Sequence, residues 1–181
     1  AGEFEIQDEG SQLVAALAGA RAGETVIDLC AGAGGKTLAL AALMGNEGRI
    51  FATDLDSRRL SPLHDRLTRS GASNVEVRVP RSRGHDALSD LSGTADLVVV
   101  DAPCTGSGTW RRNPDAKWRV RPGALAERIK EQAEVLDRAA GLVRSGGRIA
   151  YITCSVLPEE NDVAVEAFLA RHPGFSLVPM R

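Results

Sequence analysis

Apolar positions along this chain switch regularly between a strand-like and a helix-like spacing. Short runs rich in β-branched residues, Thr25-Val-Ile-Asp-Leu29, Arg49-Ile-Phe-Ala-Thr53, Val75-Glu-Val-Arg-Val79, Ala95-Asp-Leu-Val-Val-Val100 and Arg148-Ile-Ala-Tyr-Ile-Thr153, read as strands. Stretches with apolar residues every three or four positions lie between them. A leading helix is expected after Gln7, with Ser11 or Asp8 as N-cap, with Leu13, Val14 and Leu17 at helical spacing, and with Gly19 as its stop. An Ala- and Leu-rich helix runs from Thr37 to Met44. Leu60, Leu63 and Leu67 mark the next one, where Pro62 either sets the start, with Ser61 as cap, or kinks the helix. The stripe Leu125, Ile129, Ala133, Leu136, Ala140 and Val143 predicts a helix over 122–144, ended by Gly146-Gly147. Pro158-Glu-Glu-Asn161 opens a last helix carrying Val163, Ala164, Ala167 and Phe168, and Phe175-Ser-Leu-Val-Pro179 reads as a final short strand. No repeat or linker interrupts the alternation, which is the signature of a doubly wound, mostly parallel α/β sheet with helices on both faces.

Such a sheet binds ligands beyond the carboxyl ends of its strands. The first strand leads into Cys30-Ala31-Gly32-Ala33-Gly34-Gly35-Lys36-Thr37, a glycine turn feeding a helix N-terminus, where backbone N–H groups can approach a ligand closely. The turn narrowly misses two phosphate-binding patterns. Cys30 stands where the first glycine of GxxxxGK would be, and Thr37 where the last glycine of GxGxxG would be, so the motif alone leaves the ligand open. The second strand ends in Asp54, about twenty residues beyond the glycine turn, where a carboxylate suits the two hydroxyls of a ribose. Its rival role is an N-cap, which Asp56 or Ser57 can fill instead. The fourth strand ends in Asp101-Ala-Pro-Cys104 and the fifth in Cys154. Cys30, in a crowded turn, reads as a small hydrophobe. Cys104 and Cys154 share the rim with Asp101, and Lys36 and the helix start after Pro158 are the expected sources of positive potential for a thiolate.

Composition narrows the reading. A chain of 181 residues, 43% hydrophobic, fits one domain with one core. With 22 basic and 24 acidic residues the net charge is −2, so any nucleic-acid contact must be local. The densest basic cluster is Arg111, Arg112, Lys117, Arg119 and Arg121, interleaved with Trp110 and Trp118. Guanidinium groups suit phosphates and an indole stacks on an unpaired base. The alternative is an ordinary surface loop pinned by its aromatics. Arg78, Arg81 and Arg83 make the loop after the third strand basic as well, and His64, His85 and His172 carry no special chemistry. Three cysteines without a CxxC pair argue against a disulfide framework and against a metal site. Without a signal-peptide pattern or the ~20 apolar residues of a membrane span, the chain is expected to be soluble and cytoplasmic.

Three segments together resemble a known family. Asp28-Leu-Cys-Ala-Gly-Ala-Gly-Gly-Lys-Thr37, Asp101-Ala-Pro-Cys-Thr-Gly-Ser-Gly108 and Tyr151-Ile-Thr-Cys-Ser-Val-Leu-Pro-Glu-Glu-Asn161 are similar, in order, to the motifs of the RsmB-like (Nol/Nop/Sun) RNA cytosine-5 methyltransferases, and Gln7 to Leu13 looks like their leading motif. The resemblance implies a Rossmann-like class I fold that binds S-adenosylmethionine through Cys30, Ala31, Gly32, Ala33, Gly34, Gly35, Lys36, Asp54 and Asp101. It further implies that Cys154 is the nucleophile toward carbon 6 of an accessible cytidine, that Cys104 assists product release, and that Asp101 and Lys36 handle the base and its protons. RNA, ribosomal rather than transfer, is the implied partner, with Arg111, Arg112, Lys117, Trp118 and Arg119 as contacts.

The chain departs from the family pattern in three places. Ala33 stands where the family has proline. Pro80 and Arg81 fall where an acidic residue would hold the adenine, which leaves Asp86 as a candidate for that contact. The chain also stops before a strand that would pair beside the last one, so residues 1–181 are expected to be a catalytic domain without that strand and without an N-terminal RNA-binding extension. The competing readings are a DNA cytosine-5 methyltransferase using Cys104, a nucleotide-binding regulator using residues 34–37 as a phosphate loop, and a non-catalytic RNA-binding module. The second thiol, and the lack of a target-recognition insertion, weigh against the first.

Overall fold

Five parallel strands, β1 (Thr25–Asp28), β2 (Arg49–Ala52), β3 (Val75–Val77), β4 (Ala95–Asp101) and β5 (Val143–Ile152), form one sheet in the order β3-β2-β1-β4-β5. They are joined and flanked by α1 (Glu9–Ala18), α2 (Gly35–Leu43), α3 (Ser57–Ser70), α4 (Ala124–Leu142) and α5 (Asp162–Arg171). The computed structural model describes residues 2–80 and 86–179, so His85, Arg81 and Arg83 lie outside the described residues. Strand order reverses between β1 and β4, which opens a crevice at their carboxyl ends.

Side chains on the central strands alternate between two cores, as the pleat requires. Val26, Ile50, Leu97 and Val99 pack with Leu40, Ala41 and Met44 of the α2 region. Ile27, Phe51, Val98 and Val100 pack on the other face with Val135, Ala139 and Leu142 of α4. Both faces are covered, which is why these strands read as nearly continuous apolar runs.

Several local expectations shift. Asp8, not Ser11, caps α1 by accepting the Gly10 N–H at 3.0 Å, and Leu13 and Leu17 are exposed on its outer side. Helix α3 starts at Ser57, with Asp56 accepting the Arg58 N–H at 3.1 Å, so Pro62 lies inside it rather than at its start. The missing proline N–H is tolerated because Leu60 and Leu63, on either side of it, are buried with Ala31 and Ala52. The inward face of α4 is Gln132, Val135, Leu136, Ala139 and Leu142, rotated from the predicted stripe, and Ile129 reaches the surface. That helix spans 124–142, because β5 already pairs Val143 with Ala95, then slips so that Arg148 meets Leu97, with Gly146 at φ +74° in the slip. Strand β3 stops at Val77 rather than Val79. Phe175 to Pro179 form no strand: Phe175 packs edge-on against Phe168, while Leu177 and Val178 are exposed. Among the described strands β5 is therefore the sheet edge on this side. No described helix is long and apolar enough to cross a membrane.

Candidate active site

Strands β4 and β5 run side by side to the rim, with Asp101 opposite Ile152, so the segments that follow leave the sheet together. The Ala102 N–H donates to the Ile152 carbonyl at 2.9 Å and the Gly108 N–H to the Cys154 carbonyl at 3.0 Å. This stitching brings Cys104 Sγ to 3.3 Å from Cys154 Sγ. Gly108 is needed here, because a Cβ on it would lie 2.9 Å from the Cys154 carbonyl oxygen. Buried Ser107 completes the seam, with its hydroxyl 2.9 Å from that of Ser155 and accepting the Val156 N–H at 3.0 Å. Asn161 donates to the carbonyls of Ser155 and Leu157 at 3.1 and 2.8 Å, fixing the turn after Cys154.

The sulfur contact governs how the thiols ionise. The hydrogen bond from Cys154 draws the Cys104 thiol down to about 6 against the effect of burial, helped by the backbone N–H groups of Cys154 and Gly106. The same contact, then burial, then the charges of Cys104 and Asp101, push the Cys154 thiol up. The pair loses one proton readily and holds the second. The expected sources of positive potential are not the ones that act. The chain after Pro158 forms a short 3-10 turn before α5 begins at Asp162, and Lys36 is engaged elsewhere.

Lys36, from the first turn of α2, donates to Asp101 at 2.7 Å, with 15% and 36% of the two side chains exposed, so the carboxylate is the partner open to a ligand. The next residue, Thr37, donates to Asp28 at 2.8 Å. Asp28 is fully buried, its second oxygen has no partner among the described residues, and burial pushes its carboxyl up to about 6 although the Thr37 hydroxyl opposes this.

The glycine turn is shaped by left-handed backbone at Gly32 (φ +52°) and Gly34 (φ +85°). A Cβ on Gly34 would collide with the Leu63 side chain. Ala33 is exposed at the tip, and its carbonyl accepts from Arg66 at 2.7 Å. Asp54 is buried beneath the turn, accepting the Gly32 and Asp56 N–H groups at 3.0 Å each and pairing with Arg59 at 3.1 Å. The cap of α3 is Asp56, which leaves Asp54 to the rim. Cys30 packs against the core and burial pushes its thiol up to about 12, as suits a structural cysteine.

The basic segment lies beyond Cys104: Arg111 and Arg112 follow the 3-10 turn Ser107–Thr109, and Lys117 and Arg119 lie in the 3-10 turn Pro114–Arg119. Arg111, Arg112, Lys117, Trp118 and Arg119 are all exposed. The Trp118 ring is 79% exposed, with the Lys117 ammonium 4.9 Å from its centroid, so it is not pinning the loop to the core. Trp110 is the half-buried anchor. Arg112 is committed to an ion pair with Asp8, whereas Arg111, Lys117 and Arg119 form no ion pair among the described residues.

Sequence reasoning missed three participants. Glu160 and Gln132 lie beneath the cysteine turns, and Arg59 covers Asp54. Gln132 had a legible signal, a polar residue between Ile129 and Leu136 at buried-stripe spacing. The other two had none, because their partners come from distant elements. No group of three or more His, Cys, Asp or Glu side chains able to hold a metal ion occurs among the described residues.

The model of the 16S rRNA methyltransferase RsmB/F family matches residues 15–181. The chain belongs to that family. Ribosomal RNA small subunit methyltransferase B of Sodalis glossinidius is 40% identical over 169 residues, covering 93% of this chain and 38% of that protein. Among solved structures, PH0851 superposes with a TM-score of 0.91 at 42% identity, covering 98% of this chain and 40% of that one. NSun6 from Pyrococcus horikoshii with SFG gives a TM-score of 0.77 at 29% identity, covering 94% and 43%. The RsmB/F chain described here thus spans less than half the length of these relatives. Its sheet is that of the class I methyltransferases, and solved S-adenosylmethionine-dependent enzymes near 20% identity share that fold.

Proposed function

We propose that this chain transfers a methyl group from S-adenosylmethionine to carbon 5 of cytidine in RNA, through a covalent bond between Cys154 and carbon 6. The supporting observation is the 3.3 Å sulfur contact at the rim that also carries the Lys36–Asp101 ion pair and the glycine turn. In this reading the RNA is ribosomal, the kind that the names of the curated relatives give for those proteins. A cytoplasmic location is part of this reading.

The residues present fit the cofactor. Left-handed Gly32 and Gly34 open the turn from Cys30 to Lys36, while Asp54, on the neighbouring strand end, presents the carboxylate that a ribose diol requires, in place of its contact with Arg59. Asp101 completes the set. When bound, S-adenosylmethionine supplies an electrophilic methyl group.

The chain's own residues make carbon 5 nucleophilic. Addition of the Cys154 thiolate to carbon 6 forms the C–S bond and moves the ring π electrons onto carbon 5. The Lys36–Asp101 pair meets the ring at N3, where a hydrogen bond donated to the ring stabilises the charge displaced there. Once carbon 5 carries the methyl group its proton leaves to a base, and the returning electron pair expels Cys154. Cys104, in contact with Cys154, takes part in that release. Arg111, Lys117 and Arg119 hold phosphates and Trp118 stacks on an unpaired base.

The lowered pKa of the Cys104 thiol, which makes it the more readily ionised of the pair, favours a second reading, in which Cys104 attacks carbon 6. Tritium transfer from labelled cofactor into cytidine-containing RNA tests the methyl transfer itself. Label recovered in 5-methylcytidine is the expected result. Absence of transfer, together with tight ATP–magnesium binding and no response to S-adenosylhomocysteine, would overturn it.

A further inference from the structure

Beneath the two cysteines lies a carboxylate with no role in the chemistry above. Glu160 is fully buried, yet no lysine or arginine pairs with it among the described residues. A buried charge without a counter-ion is costly unless several donors hold it. Its Oε1 accepts the Thr105 N–H at 2.8 Å and the Gln132 amide at 3.0 Å, and its Oε2 accepts the Thr105 hydroxyl. The Gln132 amide also donates to the Pro103 carbonyl at 2.9 Å. Cys104 is thus gripped on both sides, through Pro103 before it and Thr105 after it. On the other strand, the Tyr151 hydroxyl donates to the Glu160 backbone carbonyl at 2.8 Å, and Thr105 Oγ1 lies 3.4 Å from the Ser155 hydroxyl next to Cys154.

We propose that Glu160, with Gln132, is the positioning residue of the dithiol: it joins the two cysteine-bearing turns and, as a fixed negative charge on the Cys104 side, opposes the ionisation of Cys104 relative to Cys154. This rests on the cytosine-5 reading, in which Cys154 is the nucleophile. The carboxylate is suited to staying charged. Burial pushes it up, but the donors from Ser155, Thr105 and Gln132 outweigh burial and hold it below the usual carboxylate range. The charged or titratable groups that act on the pair are Glu160, on the Cys104 side, and Asp101, whose charge acts on Cys154. Tyr151 is kept neutral by burial and by Glu160.

The test uses Glu160→Gln, which keeps the shape and removes the charge, and Glu160→Ala, which removes the link. Cofactor affinity and thermal melting report folding. The site-resolved rate of iodoacetamide alkylation is measured against pH, alongside kcat and KM for methyl transfer. In E160Q, alkylation of Cys104 at pH 5, below its wild-type midpoint of about 6, should rise several-fold, toward the roughly tenfold change that one pKa step represents, and kcat should fall with the cofactor KM unchanged. In E160A both thiols should move toward ordinary thiol ionisation as the sulfur contact loosens. Wild-type alkylation profiles and kcat in a folded E160Q would overturn the assignment, whether or not E160A folds. If the unmodified chain transfers no methyl group, the enzymatic reading fails on its own, and the alkylation profiles still judge the positioning role.

Discussion

Cys104 Sγ and Cys154 Sγ, fifty positions apart in the chain, stand 3.3 Å from one another at the ends of adjacent parallel strands. At that separation the two thiols behave as one acid with two steps, and the identity of the attacking sulfur becomes a question about a pair. The proposed mechanism gives them unequal tasks. With S-adenosylmethionine and a cytidine-containing RNA, Cys154→Ser should abolish the covalent RNA adduct seen on a denaturing gel. Cys104→Ser should let it accumulate. The opposite pattern would move the nucleophile to Cys104.

The same contact sets a pH signature that needs no substrate. Cys104 is drawn to about 6 chiefly by Cys154, so Cys154→Ala should shift its alkylation midpoint upward toward the ordinary thiol value. Cys104→Ala removes the largest influence raising Cys154, so that midpoint should move down. Alkylation of the intact pair should decline as pH falls through about 6, where the shared thiolate takes up its proton. Independent midpoints, unmoved by either substitution, would show that the sulfurs do not touch in solution.

Asp28 makes a stability prediction of definite sign. Its carboxyl is raised from 3.8 to about 6, so the folded chain binds this proton more tightly than the unfolded chain does. Its contribution is most favourable below pH 4 and is lost as pH rises through 6, by on the order of 3 kcal/mol. Asp28→Asn keeps an acceptor for Thr37 and carries no titrating group. Its Tm relative to the parent should therefore climb between pH 4 and pH 7, by roughly 2–4 °C per kcal/mol. A constant difference across that range would show that Asp28 titrates normally.

The exposed indole of Trp118 should serve RNA rather than the fold. Base stacking of ~1–3 kcal/mol implies that Trp118→Ala raises the KM for RNA roughly tenfold and leaves cofactor affinity and Tm in place. Joint replacement of Arg111, Lys117 and Arg119 by alanine should flatten the salt dependence of RNA binding, since each removed phosphate contact lowers the counterion slope. A large drop in Tm for W118A would return the segment to a structural role.

Much of this was written into local patterns. Continuous apolar runs rich in β-branched residues, such as Leu97 to Val100, and the glycine turn from Gly32 to Gly35 depend on neighbours in sequence, so strand and helix order could be read directly. The placement of Asp54, Asp101, Cys104 and Cys154 at strand ends then followed from parallel pairing alone. Pro62 was harder to place, because its cost is local while the burial of Leu60 and Leu63 that offsets it is not.

The sequence by itself determined that two thiols, a carboxylate and a lysine would reach the same rim of a parallel sheet. Only the tertiary structure decided that the sulfurs touch, that Lys36 is taken by Asp101 instead of serving a thiolate, that α4 turns Gln132 inward, and that Glu160 lies beneath both cysteine turns. Those outcomes depend on the register of β4 against β5 and on the rotation of α4, α5 and the turn before α5. Packing between residues far apart in the chain sets both, and no spacing within a single segment encodes it.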